Sequence, residues 1–231
     1  PLNHIGIIGG GFMGSAIAAH ALANNIAVTL IEQPEQLQAC AARVQQLQTQ
    51  YPKSNAKLKV SARLKDLSKC ELVIEAIDEN LELKKSVLQE AEQYIPKTTI
   101  LASNTSSIPI NELAKSLLRP ENFLGIHFFS PVAKMLLIEV IKGKKTLKRT
   151  VSLAQALSHH FKKVPICVND TPGFYTTNVA IAYVSAALQR LNQGVSAYLI
   201  ERAAIRIGMP TPPLKLMDEI GIDVIWKILQ A

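Results

Sequence analysis

The sequence predicts an α/β fold, with a doubly wound sheet followed by a smaller all-α domain. Short apolar runs alternate with segments of helical periodicity from the N-terminus onward, which is typical of βα units and of a parallel sheet covered on both faces. After residue 171 this alternation stops, and a long apolar helical pattern replaces it. The two patterns together indicate the order of the domains.

Five strands are predicted, with helices between them, at residues 5–9, 27–32, 72–76, 100–104 and 123–128. Residues 138–141 and 164–168 are two further strand candidates, and residues 147–161 between them have helical spacing. Both candidates are expected to extend the same sheet.

The pattern changes after the segment DTPG at residues 170–173, where Pro172 fits the opening of a new helix. Residues 174–191 are one mostly apolar helical stretch, so a domain boundary is predicted between residues 171 and 172. Only the 40 residues after Leu191 remain to bury this helix. The 172–231 domain is therefore expected to be incomplete or to complete its core with another chain.

The composition limits the classes of function. Apolar runs stop well short of the roughly 20 residues that a membrane-spanning helix requires, so no transmembrane segment is predicted. Cys40, Cys70 and Cys167 are too scattered for a zinc site or a redox pair; they are expected to be reduced and half-buried, and no metal site is expected. The chain begins at Pro1, which suggests a piece of a longer protein. A cytoplasmic location is expected, with mitochondrial and peroxisomal locations left open.

A glycine-rich turn follows the first predicted strand and opens a helix. Gly9 permits the tight turn, Gly11 lets the backbone approach a pyrophosphate, and Gly14 lets helix and strand pack closely. Glu32 ends the second strand, 18 residues beyond Gly14, where a carboxylate can bind ribose hydroxyls and repels a 2′-phosphate. The pattern predicts a Rossmann-type NAD-binding domain over residues 1–171 and favours NAD over NADP. A glycine-rich turn without a ligand is the alternative.

A histidine and a carboxylate stand on two neighbouring predicted strands. His127 lies near the end of the strand at residues 123–128, where doubly wound proteins bind ligands. Glu139 lies in the next apolar segment, where an unpaired carboxylate would be costly. Pairing would satisfy Glu139, fix the imidazole tautomer and favour proton uptake, as in general-base catalysis. A packed structural histidine is the alternative.

Residues 102–107 (ASNTSS) form a small polar cluster that follows the fourth predicted strand. A helix N-cap would account for two of these six residues. Consecutive hydroxyl and amide side chains at the ligand end of the sheet exceed what a cap needs. The cluster is therefore predicted to hold a substrate hydroxyl or a nicotinamide.

With these motifs in this order, the chain resembles the 3-hydroxyacyl-CoA dehydrogenase family over residues 4–223, close to the dehydrogenase part of multifunctional fatty-acid β-oxidation proteins. The matching motifs are the glycine turn with Glu32, residues 75–84 (EAIDENLELK), residues 103–107 (SNTSS), residues 125–132 (GIHFFSPV), Glu139 and residues 170–174 (DTPGF). The resemblance implies an NAD-dependent oxidoreductase that interconverts (S)-3-hydroxyacyl-CoA and 3-oxoacyl-CoA.

The resemblance also implies roles for individual residues. His127 is the base and Glu139 its partner, while Ser106 and Asn178 hold the 3-hydroxyl and the thioester region. The implied partners are an acyl-CoA substrate and either a second copy, bound through residues 172–231, or a multifunctional β-oxidation assembly. Direct binding to nucleic acid is not implied.

The implied cofactor is NAD. Glu79 and Lys84 are implied to lie beside its ribose and phosphate. The implied cofactor contacts are Gly9, Gly11, Phe12, Met13, Gly14, Glu32, Glu79, Lys84, Asn104, Ser106 and Ser130.

Four features depart from the family pattern. Ser130 stands where many stand-alone members have Asn, and Val179 follows Asn178 where an Arg is common. The stretch between the second strand and Leu72 is shorter than in typical members, and the chain stops at Ala231 before the family's last helices. Two alternatives therefore stay open: a related dehydrogenase of a free hydroxy acid, and a non-catalytic NAD-binding protein.

The formal net charge of +7 suits an anionic ligand, although charges dispersed over a solvated face give the same total. The densest basic stretch is residues 142–149 (KGKKTLKR). It either faces the phosphates of coenzyme A or merely precedes a helix. No aromatic residues interleave with it, which disfavours a nucleic-acid surface.

Overall fold

Apolar strands and helices alternate through the first part of the chain, as the sequence pattern predicts. The structure, a computed structural model, describes residues 2–221 and divides into two units, Pro1–Asp170 and Thr171–Ala231. The strands of the first unit are β1 (His4–Ile8), β2 (Ala27–Ile31), β3 (Leu58–Ser61), β4 (Leu72–Glu75), β5 (Ile100–Ser103), β6 (Phe123–Phe128), β7 (Leu137–Lys142) and β8 (Val164–Asn169). Its helices are α1 (Phe12–Ala23), α2 (Leu37–Gln48), α3 (Leu81–Tyr94), α4 (Ile110–Ala114) and α5 (Lys148–His160).

These strands form one sheet in the order β3-β2-β1-β4-β5-β6-β7-β8. The strands β1 to β6 are parallel, whereas β7 is antiparallel to β6 and parallel to β8. The prediction that residues 138–141 and 164–168 extend the same sheet is confirmed. The sequence analysis missed β3, because only one of its four residues is fully buried and the apolar pattern is weak.

The centre of the sheet is buried on both faces. In β1, Ile5 and Ile7 have no exposed surface, and the next residue, Ile8, keeps 4% of its surface exposed. Side chains of α1, such as Ile17 and Leu22, are fully buried in the same cluster. Each large apolar side chain buried in this way stabilises the fold by roughly 1.5–3 kcal/mol. Continuous burial along a strand is what a parallel sheet with helices on both faces requires.

The carboxyl ends of β1, β2, β4, β5 and β6 lie at one edge of the sheet, where doubly wound proteins bind ligands. Because β7 runs the other way, it begins at this edge, with Ile138 opposite Phe128. The basic stretch 142–149 follows the far end of β7, and Thr146 in it donates a hydrogen bond to the carbonyl of Phe123 at the start of β6. The stretch therefore lies at the edge opposite the ligand edge and leads into α5.

The described part of the second unit is helical. Helices α6 (Thr176–Asn192), α7 (Ala197–Arg206) and α8 (Pro213–Ile220) contact one another. Helix α6 begins two residues later than predicted, because Phe174 has a φ of 53° and lies outside the right-handed helical region. Exposed large apolar side chains in this unit include Val179, Leu188, Leu191, Tyr198, Leu199 and Ile205.

Over residues 2–221, no helix is both long enough and apolar enough to cross a membrane. The family resemblance extends to residue 223 and the predicted second domain to residue 231. The parts of both from residue 222 onward lie outside the described residues.

Candidate active site

The glycine turn joins β1 to α1 at the ligand edge. Gly9 has a φ of 101°, and a Cβ atom there would lie 2.6 Å from the carbonyl oxygen of Ala76. A Cβ atom on Gly14 would lie 1.8 Å from the carbonyl oxygen of Gly9, so helix and turn approach too closely for any side chain. A Cβ atom on Gly11 would meet no described atom within 4 Å. The fold alone does not need glycine there, and the open space at the N-terminus of α1 suits a pyrophosphate.

Glu32 lies beside this turn, directly after β2. Its Oε2 atom accepts a hydrogen bond of 2.6 Å from the backbone N–H of Gly10, and its Oε1 atom accepts one of 2.7 Å from that of Gln33. The two bonds fix the carboxylate where ribose hydroxyls of a dinucleotide can be bound. Phe12, 72% exposed, and Met13, half-buried, begin helix α1.

An open cavity of about 550 Å³ lies at the same edge. Its walls include Gly9, Gly11 and Glu32, and the apolar side chains Leu83 and Val87 of α3. This volume lies within the range of about 300–1,000 Å³ typical of cofactor pockets. An apolar wall for a flat ring, a carboxylate for a ribose and a helix N-terminus for phosphates are the groups that bind NAD, so these residues fit that cofactor.

His127 and Glu139 face each other across β6 and β7. They are directly paired in the antiparallel register, and Nδ1 of His127 lies 2.8 Å from Oε2 of Glu139. Glu139 has no exposed surface, and His127 keeps 8% exposed. Because an ionised carboxylate only accepts hydrogen bonds, Nδ1 carries the ring proton. The structure thus brings together the two residues that the sequence analysis paired, while their catalytic roles stay a prediction.

Glu79 organises the polar loop that follows β5. Its Oε1 atom accepts hydrogen bonds from the Thr105 hydroxyl at 2.5 Å, the Ser107 hydroxyl at 2.9 Å, and the backbone N–H groups of Ser106 and Ser107 at 3.1 and 3.0 Å. Burial by itself would raise the pKa of Glu79, but these donors and the Lys84 ammonium hold that pKa below its usual value. Ser106 is exposed, so the loop is fixed from behind while this residue faces outward.

Lys84 is 1% exposed, and its ammonium contacts three protein acceptors. Its Nζ atom lies 2.6 Å from Oε1 of Glu75, 3.1 Å from the carbonyl oxygen of Ile77 and 3.3 Å from Oε2 of Glu79. The Glu79 side chain is 37% exposed and can also reach a ligand. A contact between Lys84 and the cofactor stays a prediction, since protein groups surround its ammonium here.

The other predicted site residues have separate positions. The side-chain oxygen of Asn104 accepts a hydrogen bond of 2.9 Å from a backbone N–H at the end of β6. Ser130 is exposed just after that strand. Asn178 lies on α6 in the second unit, where its amide donates to the carbonyl of Pro172 at 2.8 Å and to that of Phe174. A contact between Asn178 and the substrate stays a prediction.

Two carboxylates without a predicted role hold parts of the first unit together: Glu75 lies at the ligand edge, and Asp170 follows β8 at the opposite edge of the sheet. Glu75 ends β4 with no exposed surface and binds Lys84. Asp170 accepts hydrogen bonds of 2.8 Å from the backbone N–H groups of both Ile110 and Asn111, at the start of α4. For Glu75 there was a signal, because a carboxylate at the end of an apolar strand needs a partner. Glu139 meets the same requirement.

The cysteines differ in exposure from what was expected. Cys40 and Cys70 are buried and Cys167 is exposed, so the prediction that all three are half-buried is wrong. Burial raises the pKa of the Cys70 thiol to about 12. Over residues 2–221, no group of three or more His, Cys, Asp or Glu side chains is placed to hold a metal ion.

Several solved dehydrogenase structures are similar to this chain. The (S)-3-hydroxybutyryl-CoA dehydrogenase of Ralstonia eutropha is 30% identical with a TM-score of 0.91, over 100% of this chain and 86% of that one. The 3-hydroxybutyryl-CoA dehydrogenase of Escherichia coli K12 is 33% identical with a TM-score of 0.87, over 99% of this chain and 51% of that one. An NAD+-dependent 5-dehydrogenase of a pyridine-4-carboxylic acid is 27% identical with a TM-score of 0.79, over 100% of this chain and 80% of that one.

Family profiles match both parts of the chain. Residues 4–171 match the 3-hydroxyacyl-CoA dehydrogenase NAD binding domain, and residues 173–231 match the 3-hydroxyacyl-CoA dehydrogenase C-terminal domain. The two matches leave only a few residues uncovered and agree with the fold, the glycine turn and the cavity beside Glu32. The chain therefore belongs to the 3-hydroxyacyl-CoA dehydrogenase family, whose N-terminal domain binds NAD.

Proposed function

We propose that this chain oxidises the 3-hydroxyl of a 3-hydroxyacyl-CoA with NAD, and reduces the 3-oxo compound in the reverse direction, as a step of fatty-acid β-oxidation. The pair of His127 and Glu139 at the ligand edge is the observation that carries this proposal. A histidine 2.8 Å from a carboxylate with no exposed surface is the arrangement of a general base with its orienting partner.

The proton path follows from this geometry. Since Nδ1 of His127 donates to Glu139, the proton of the 3-hydroxyl goes to Nε2, and the buried carboxylate stabilises the imidazolium that forms. NAD bound beside Glu32 and the glycine turn would supply the hydride acceptor for carbon 3. We assign the Ser106 hydroxyl to hold the 3-oxygen as its charge changes. In the reverse direction the same imidazolium returns its proton to that oxygen.

The acyl-CoA is supported by the two relatives that act on 3-hydroxybutyryl-CoA, at 30% and 33% identity. A second candidate substrate is a small carboxylic acid without coenzyme A. The 27% identical dehydrogenase of a pyridine carboxylic acid and the short stretch before Leu72 favour this candidate. The catalytic pair would serve either substrate, because it acts only on the hydroxyl group. We also propose that the chain forms a homodimer or is part of a larger assembly.

The test is the oxidation of NADH with acetoacetyl-CoA, followed by absorbance, for the wild type and for His127→Ala and Glu139→Gln. Loss of a general base is expected to lower kcat by about 10²- to 10⁴-fold in His127→Ala. Glu139→Gln is expected to lower kcat by a similar factor, because the amide also permits the wrong tautomer. His159→Ala removes an exposed histidine of α5 and serves as the matched control, with turnover equal to that of the wild type.

Two other results of this assay would favour an alternative function. Faster turnover of acetoacetate than of acetoacetyl-CoA would select the free-acid candidate. A wild type that binds NADH, as judged by its fluorescence, but turns over neither compound would refute the enzymatic proposal and leave a non-catalytic NAD-binding protein.

A further inference from the structure

Glu75 is a buried carboxylate that the proposed mechanism does not use. It ends β4 at the ligand edge and has no exposed surface, so neither substrate nor cofactor reaches it. Its Oε1 atom accepts hydrogen bonds from Nζ of Lys84 at 2.6 Å and from the backbone N–H of Ile77 at 2.7 Å. Its Oε2 atom accepts one of 2.5 Å from the Ser103 hydroxyl. Both carboxylate oxygens thus accept hydrogen bonds from groups inside the protein.

Two carboxylates share one ammonium in this network. Lys84 contacts Glu75 at 2.6 Å and Glu79 at 3.3 Å, and the lysine and Glu75 are almost completely buried. Taking such charges out of water costs several kcal/mol per ion and often gives no net stability over apolar residues. The network is therefore better explained by what it holds in place than by a contribution to stability.

The network ends on the loop at residues 105–107 by two routes. In the first, the Ser103 hydroxyl donates to Glu75 and accepts a hydrogen bond of 3.2 Å from the backbone N–H of Thr105. In the second, Lys84 connects Glu75 to Glu79, whose other oxygen accepts four hydrogen bonds from this loop. Both routes reach the backbone on either side of the Ser106 side chain.

We propose that Glu75 is a positioning residue for Ser106. The inference rests on the proposed function, in which the Ser106 hydroxyl holds the reacting 3-oxygen. Without the negative charge of Glu75, the Lys84 ammonium has only Glu79 as a charged partner among these contacts and is drawn toward it. The ammonium and the loop then compete for the Glu79 carboxylate. A glutamine in place of Glu75 has one acceptor oxygen instead of two, so either Ser103 or Lys84 loses its acceptor. The loop keeps its sequence but loses its fixed geometry.

The test is a double-mutant cycle between Glu75→Gln and Ser106→Ala, measured as kcat and KM with acetoacetyl-CoA. Glu75→Gln is expected to lower kcat by roughly 10- to 100-fold, since a displacement of about 1 Å at a reacting group costs about 10² in rate. In the Glu75→Gln background, the further loss from Ser106→Ala is expected to fall below threefold, because a misplaced hydroxyl has little left to lose. Penalties that multiply, with no coupling between the two sites, would overturn the inference.

Glu92→Gln is the matched control. Glu92 is a buried carboxylate on α3, 5% exposed, and it accepts hydrogen bonds of 2.7 Å from the backbone N–H groups of Leu118 and Arg119, away from the 105–107 loop. The effect of Glu92→Gln on kcat is expected to be independent of the effect of Ser106→Ala. Coupling of the same size in Glu92→Gln would show a general loss of stability and overturn the inference. Should Glu75→Gln fail to fold, Ser103→Ala removes the first route, keeps the ion pair, and takes its place in the cycle.

Hydrogen exchange at the N–H groups of Ser106 and Ser107 gives a readout that does not need turnover. Exchange is expected to become at least tenfold faster in Glu75→Gln and to stay unchanged in Glu92→Gln. Unchanged exchange in a folded Glu75→Gln variant would overturn the positioning role. A wild type without turnover refutes the proposed function instead, and the exchange result then still decides whether Glu75 holds this loop.

Discussion

His20 is expected to make the stability of the first unit depend on pH. It lies on α1 with 6% of its surface exposed, and its Nε2 atom is 2.7 Å from the carbonyl oxygen of Phe161. That atom therefore carries the proton of the neutral ring, while Nδ1 lies 3.2 Å from the Tyr51 hydroxyl. Burial, helped by the nearby charges of Lys163 and Lys162, lowers the pKa of His20 to about 4, against a weaker opposing effect of the Phe161 carbonyl.

The direction and size of the effect follow from this shift. Between pH 6.5, the usual pKa of a histidine, and about pH 4, the unfolded chain binds a proton at His20 that the folded chain does not. The free energy of unfolding therefore falls as the pH falls through this window. One pKa unit corresponds to 1.36 kcal/mol, so the full shift gives about 3 kcal/mol. Partial screening by solvent reduces this to about 2 kcal/mol.

The assay is urea unfolding followed by circular dichroism at pH 7 and pH 4.5, for the wild type and His20→Gln. Glutamine keeps a donor and an acceptor but does not titrate, so the difference between the two proteins isolates His20 from the other titrating groups. The wild type is expected to lose about 1.5 kcal/mol more than His20→Gln between these pH values, because most but not all of the window lies above pH 4.5. His159→Gln is the control and is expected to follow the wild type. Equal losses in the wild type and His20→Gln would refute the reasoning.

Four further substitutions test the cofactor site and the packing of the first unit. Gly14→Ala is expected to lower the free energy of unfolding by more than about 2 kcal/mol, because its Cβ would lie 1.8 Å from a carbonyl oxygen. Gly11→Ala is expected to keep the melting temperature of the wild type and to weaken NADH binding. Equal melting temperatures for the two variants would contradict the close approach at Gly14. Glu32→Ala is expected to raise the affinity for NADPH relative to NADH by about tenfold in fluorescence titrations, since a repelling charge is removed; an unchanged ratio argues against a ribose contact. Lys163→Met leaves without a donor the carbonyls of Val132 and Met135, which its ammonium contacts at 2.5 and 2.6 Å, and is expected to cost about 2–4 kcal/mol in urea unfolding. A loss below about 0.5 kcal/mol would show that water replaces the ammonium.

The fold was predictable where burial is continuous. The strands that became β1, β4 and β6 are runs of apolar residues, and the structure buries nearly all of their residues. Strand β3 has a lysine in the middle and one fully buried residue out of four, so its place in the sheet comes from pairing with β2 rather than from its own pattern. The direction of β7 was also not predictable from its apolar pattern. Because β7 is antiparallel to β6, the basic stretch 142–149 lies away from the ligand edge.

The site was predictable where one rule about burial sufficed. Glu139 needed a partner because its neighbours are apolar, and the nearest candidate was on the adjacent strand. Lys84 was harder, because the motif that contains it implied a cofactor contact while the structure surrounds its ammonium with Glu75, Glu79 and a carbonyl. Pairings between residues 9 and 28 positions apart, as for Glu75 with Lys84 and with Ser103, depend on how strands and helices meet and leave no periodic trace.

Each of the two buried carboxylates at the ligand edge holds a more exposed group in place. Glu139 lies behind His127, and Glu75 lies behind Glu79 and the loop that carries Ser106. In both cases a fully buried charge fixes the geometry of an outward-facing group, and the sheet places the carboxylate at a strand position that solvent does not reach. The two differ in what they control. Glu139 orients the ring and stabilises the imidazolium of the proton acceptor itself, whereas Glu75 acts only on the position of the loop that carries Ser106.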